Sequence, residues 1–174
     1  MNEVSEEAEL DYTQPPALTE TEVESFLEQA KYARFCSLNK DGTIHVAPVW
    51  FKYEDGQIVV VTPPASRKAR NVKRNRNVTV LVDTEKWPQK GVIVYGKADL
   101  EYSTSYEEHM SATVPMTEKY MPKDEAESWC KDLFKISGPW MKIIVKPKRM
   151  ASFDYSKDAT FGAVVEASRT RTKR

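Results

Sequence analysis

Gln57-Ile-Val-Val-Val-Thr62-Pro-Pro-Ala-Ser66-Arg67-Lys68-Ala-Arg70-Asn71 is the stretch on which the reading of this chain turns. Its first half is a compact β-branched run and reads as a buried strand. Beyond the prolines, Ser66 is a good N-cap, and a helix can continue through Ala69 and Val72. Helix N-termini carry partial positive charge and free N–H groups, so carboxylates are favoured in the first turn. Here Arg67 and Lys68 stand in it instead. Two cations against the dipole make sense if they converge, with Ser66 and the backbone, on a doubly charged anion such as a phosphate. The basic run 67–76 also fits a solvated helix face or a nucleic-acid patch, and by itself the segment leaves all three readings open.

Working outward, residues 33–38 alternate, Asn39-Lys-Asp41-Gly42 turns, and residues 43–53 form a long strand that Glu54-Asp55-Gly56 reverses into the first quoted run. Pro48 within the long strand implies a position that needs no ladder N–H, at an edge or beside a ligand. Ahead of this meander, Thr19 with Glu22 and Thr21 with Glu24 offer overlapping capping boxes. The helix they start carries Val23, Phe26, Leu27 and Ala30 on one face. After the basic helix, residues 77–83 and 91–102 read as strands, with Gly96 marking a bulge or a close backbone approach. Residues 104–135 turn helical with breaks expected near Pro115 and Pro122, and residues 140–154 form a last strand. In it Met141, Ile143 and Val145 alternate with Lys142, Ile144 and Lys146, as in a half-exposed sheet. Six strands from mostly adjacent hairpins predict an α+β, mainly β fold: a closed or nearly closed six-stranded barrel with peripheral helices, in which closure would hide the edges.

The 174 residues suit one domain, and 26 basic against 26 acidic side chains leave no global field toward nucleic acid or membrane. Charge is concentrated at the ends, giving an expected flexible acidic arm at 1–17, a domain at 18–154 and a tail at 155–174 with a basic end. No apolar run approaches the ~18 residues of a membrane span, and no signal-peptide layout is present. Cys36 and Cys130 lie in no CxxC pair, which suits a reducing cytoplasm. With His45 and His109 as the only histidines, no metal-ligand spacing exists.

The helix, the stretch 33–83 with Ser66-Arg67-Lys68-Ala and Asn71 at its centre, and the weaker echo Val94-Tyr-Gly-Lys-Ala-Asp99 resemble the pyridoxamine 5′-phosphate oxidase-like flavin-binding split-barrel family over roughly residues 20–154. The resemblance implies a split β-barrel of Greek-key type, a homodimer, flavin mononucleotide (FMN) at the subunit interface and oxidoreduction of a small molecule. A deazaflavin coenzyme, used by some members, is the alternative. A non-catalytic flavin-binding or sensing module is the second functional reading, and nucleic-acid binding through the basic helix is the third and least expected.

Position by position, the resemblance makes Arg67 and Lys68 the phosphate ligands, with hydroxyls from Ser66 and Thr62. The strand His45, Val46, Ala47, Pro48, Val49 and Trp50 would run along the ring and ribityl chain, with Val61 and Thr62 flanking the ring. An apolar wall plus a few backbone donors is what such a ring requires. Two features of the true oxidases are missing. Gly91 stands where they carry glutamine, and no Arg-and-His-bearing segment follows residue 159, so activity on pyridoxamine phosphate itself is not expected.

Among other candidates, Trp50, Trp87, Trp129 and Trp140 are able to stack on a ring, although tryptophans more often serve cores or interfaces. Trp87, in a loop, is the one singled out for ligand contact. Glu107, Glu108 and His109 read as a solvated helix face, and no residue is assigned as catalytic acid or base.

Overall fold

The computed structural model describes residues 17–158 together with 163 and 164, so the expected arm up to residue 16 and most of the expected tail lie outside the described residues. The elements are α1 (Glu20–Gln29), β1 (Tyr32–Leu38), β2 (Ile44–Trp50), β3 (Lys52–Glu54), β4 (Gln57–Thr62), α2 (Arg67–Arg74), β5 (Asn77–Asp83), β6 (Lys90–Tyr102), α3 (Tyr106–Thr117), α4 (Lys123–Ser137) and β7 (Met141–Asp154), then a 3-10 turn at Tyr155–Lys157. One antiparallel sheet contains every strand, in the order β2-β1-β5-β6-β7-β4-β3. Its two edge strands are consecutive in the chain, so a single bent segment supplies both edges of a split barrel.

That bend corrects the expected strand count from six to seven. The long strand 43–53 breaks at Phe51, whose side chain is fully buried in the core. Its N–H donates to the Tyr120 hydroxyl at 3.1 Å, and its carbonyl accepts from Lys119 Nζ at 3.4 Å. Backbone groups at a buried break need partners, and here the connection between α3 and α4 supplies them in place of a ladder.

Alternation places the core. Phe35 on β1 lies opposite Val80 on β5, and Val80 lies opposite Val94 on β6; all three are buried. Burial of a side chain of this size contributes about 1.5–3 kcal/mol. On β7, Met141, Ile143 and Val145 are fully buried, as the alternation predicts. Gly96 serves both expected roles: the β6–β7 register shifts beside it, and a Cβ there would lie 2.5 Å from the Lys146 carbonyl oxygen. Thr19 and Glu22 form the capping box that starts α1, at 3.3 and 2.7 Å.

Pro115 does not end its helix. It sits in the last turn of α3, where it removes only one bond, and Glu118 N–H still reaches the Val114 carbonyl at 2.9 Å. The break falls instead before Pro122, which precedes α4.

Register also defines an outer face. Ile44, Val46, Pro48 and Trp50 on β2 lie opposite Leu38, Cys36, Arg34 and Tyr32 on β1, and the same face continues through Thr79, Leu81, Ile93 and Tyr95. Ile44 is 69% and Val46 54% exposed, so this single chain leaves an apolar stripe uncovered. Among the described residues no helix is long and apolar enough to cross a membrane.

Candidate functional site

The prolines after β4 turn the chain so that α2 starts beside the end of that strand. Ser66 caps the helix, its Oγ accepting from Ala69 N–H at 3.3 Å and from the Thr62 hydroxyl at 3.1 Å. With both acceptor positions filled, the Ser66 hydroxyl proton is left to donate outward. The N–H groups of Arg67 and Lys68 have no acceptor among the described residues. Asn71, buried, anchors the helix to β1: its Nδ2 donates to Ser37 Oγ at 3.1 Å and Asn39 Oδ1 at 3.0 Å, and its Oδ1 accepts from Arg74 at 3.1 Å.

The hollow at this junction, about 280 Å³, is lined by Pro48, Val49 and Trp50 of β2, by Val61, Thr62 and Pro63, by Lys68, and by Trp129 and Trp140. Six of the sequence-predicted residues therefore share one groove. Among the described residues Lys68 is its only ionisable lining side chain. It is half-buried, makes no ion pair or hydrogen bond among the described residues, and burial pushes its pKa below the usual lysine value. A desolvated ammonium without a carboxylate is a site that gains from an incoming anion.

Arg67 diverges from its neighbour, because consecutive helical residues project about 100° apart. It is exposed and lines a separate hollow with Asn39, Lys40 and Asp41. His45 and Ala47 face the barrel side opposite Ser37 and Phe35, Val46 faces outward, and none of the three lines the groove. Trp87 is elsewhere, stacked on Tyr155 with ring centroids 6.4 Å apart, beyond the end of β7 farthest from Trp140. The basic run 67–76 has also engaged part of its charge: Arg70 donates to the Ala65 carbonyl, Arg74 to the Leu38 carbonyl, and Arg76, just beyond α2, pairs with Asp99.

Two aromatic walls of the groove come from α4 and from the link that follows it. Trp50 stacks on Tyr120 with centroids 4.1 Å apart and planes 9° from parallel, and Trp129 lies at 6.0 Å. Burial pushes the Tyr120 phenol up to about 12. Gly138, at φ +68°, ends α4 in the left-handed region and turns the chain toward Trp140, whose indole donates to Ser137 Oγ at 2.7 Å.

His109 overturns its expected place on a solvated face: it is fully buried, while Glu107 and Glu108 are exposed. The signal was present in the spacing His109, Ala112, Thr113, Met116 and Thr117, which fall at i, i+3, i+4, i+7 and i+8 and are all buried. Both cysteines are free thiols, and among the described residues no group of His, Cys, Asp and Glu is placed to hold a metal.

The sequence pattern of the Pyridoxamine 5'-phosphate oxidase family matches residues 19–137, and the chain belongs to that family. Its fold is shared by solved structures. A conserved hypothetical protein from Mycobacterium tuberculosis superposes with TM-score 0.68 at 22% identity, covering 84% of this chain and 92% of that one. A structure named F420 Reductase gives 0.58 at 21%, covering 73% and 94%. A FAD-binding protein from Mesorhizobium loti gives 0.54 at 19%, covering 79% and 93%. No curated protein matches the sequence.

Proposed function

We propose that this chain is a flavin-dependent oxidoreductase acting on a small molecule, with residues 18–154 forming a barrel that holds FMN in the groove between β2, β4 and the start of α2. The carrying observation is Lys68, a half-buried cation without a partner in an otherwise uncharged, aromatic-walled groove. The donor set beside the groove fits a phosphate: Lys68 Nζ, the Ser66 hydroxyl and two free N–H groups, whereas Arg67 would have to swing over from its neighbouring hollow to join them. Pro48, Val49, Trp50 and Val61, with Trp129 and Trp140, supply flat apolar walls for a ring, and β2 carries His45, Val46 and Ala47 past it.

When bound, the flavin would supply the acceptance and return of a hydride or electrons. The chain's own residues bind it, orient it and exclude water. Among the described residues Lys68 is the one titratable group lining the groove, and no residue is assigned as a dedicated acid.

The groove, at about 280 Å³, falls just under the roughly 300–1,000 Å³ usual for such ligands. The uncovered stripe around Ile44 and Val46 supports completion by a second copy of the chain, as a homodimer. The two free cysteines support a cytoplasmic setting. A deazaflavin coenzyme is the second reading, favoured by the shared fold of the F420 reductase.

Mass spectrometry of ligand released from the purified protein separates the two cofactors, and bleaching by a reduced nicotinamide with turnover separates enzyme from binding module. Arg67→Ala with Lys68→Ala is expected to weaken FMN binding about 100-fold or more, Lys68 carrying the larger share. Wild-type flavin retention in the double variant overturns the assignment.

A further inference from the structure

One imidazole ties both tryptophan walls together. His109 Nε2 lies 3.2 Å from the carbonyl of Cys130, the residue after Trp129, and its Nδ1 lies 3.1 Å from the backbone nitrogen of Trp140. A peptide N–H only donates and a carbonyl only accepts. The ring proton must therefore sit on Nε2, and Nδ1 must offer its lone pair; one neutral tautomer satisfies both contacts. A second proton would set an Nδ1–H against the Trp140 N–H, donor facing donor in a fully buried site.

We propose that His109 is a positioning residue for the groove and an acid-sensitive latch. Neutral, it holds Trp129 and Trp140 as the aromatic wall; protonated, it lets the Trp140 end go.

Among the described residues no charged group bears on the ring. On its own helix, the Thr113 hydroxyl donates to the His109 carbonyl at 2.8 Å, and the exposed Glu108 is occupied by Thr104. From α4 come the Cys130 thiol, which donates to Thr117 Oγ1 at 3.4 Å, and the Phe134 ring, with centroids 5.2 Å apart. From the approach to β7 comes Trp140 itself. No carboxylate is at hand to stabilise an imidazolium, and burial holds the ring below its usual value of 6.5, opposed only by the Cys130 carbonyl. A base whose pKa is lowered by folding binds more protons when unfolded. The latch is therefore at full strength above about pH 6.5 and is lost as pH falls through the window below it.

The latch stands on these hydrogen bonds; its consequence for the cofactor rests on reading the groove as the flavin site. The test is an NMR titration of the whole chain without added cofactor, from about pH 8 to about pH 5, following the His109 ring, the Trp140 amide and indole, and the Phe35 and Val80 amides of the barrel. Trp140 is expected to shift with the His109 midpoint while the barrel amides stay in place. His109→Gln, which keeps a donor for the Cys130 carbonyl without titrating, should remove the step at Trp140.

A His109 titration that leaves Trp140 unmoved overturns the latch. So does a Trp140 step that survives in His109→Gln, or loss of the barrel amides at the same midpoint. If the variant does not fold, the wild-type comparison of Trp140 with the barrel decides. A parallel FMN titration distinguishes the two claims: affinity falling with the Trp140 step joins them, whereas no FMN binding at any pH removes the flavin reading and leaves the latch intact.

Discussion

The barrel and the α3–α4 hairpin both bury their centres completely, yet they are built from opposite materials. Phe35, Val80, Val94 and Ile143 meet in the barrel with no polar atom among their side chains. In the hairpin, His109, Thr113, Thr117 and Cys130 are buried and joined by hydrogen bonds at 2.8–3.4 Å, and no buried side-chain nitrogen or oxygen among the described residues lacks a partner. Apolar packing is indifferent to pH and stabilises through area. A polar core contributes little net stability, but it is satisfied in one arrangement only. The barrel therefore supplies most of the stability, and the hairpin sets the place of the groove's aromatic wall.

The sharpest way to break this contrast is Phe35→Ala. It should cost about 3–5 kcal/mol, much of a typical domain's stability, and appear as a large drop in the urea midpoint. A cost near that of a surface change would deny the barrel its role. Gly96→Ala comes next, at about 1–3 kcal/mol, because the new methyl meets the fixed Lys146 carbonyl oxygen at 2.5 Å rather than a side chain able to move. A neutral result there would mean the bulge yields easily. Smallest is Thr117→Val in the hairpin: it removes a weak thiol bond from Cys130 and one hydroxyl bond to the Thr113 carbonyl, and should cost about 1 kcal/mol with an unchanged m-value. A loss of several kcal/mol would show that the hairpin, too, stabilises the fold.

The barrel was legible because period-two alternation depends on each strand's own residues. The bulge at Gly96 and the capped start of α1 were legible for the same reason. Three features were not. The break at Phe51 depends on Tyr120, 69 positions away. The break expected near Pro115 falls two residues later, after Thr117. His109 was read with its charged neighbours Glu107 and Glu108, although the helical period sets it on the other face.

For the site, the residue types were readable in order, but not their directions. Ser66, Arg67 and Lys68 marked an unusual helix start, since cations in a first turn go against the dipole whatever lies nearby. Only the folded chain separated Arg67 from Lys68, left Trp87 with Tyr155, and brought Trp129 of α4 and Trp140 of the approach to β7 against β2 and β4. Local chemistry is written along the chain because propensity and capping act over a few residues. The shape of a groove is decided by which long-range contacts form together, and no single stretch of sequence contains them.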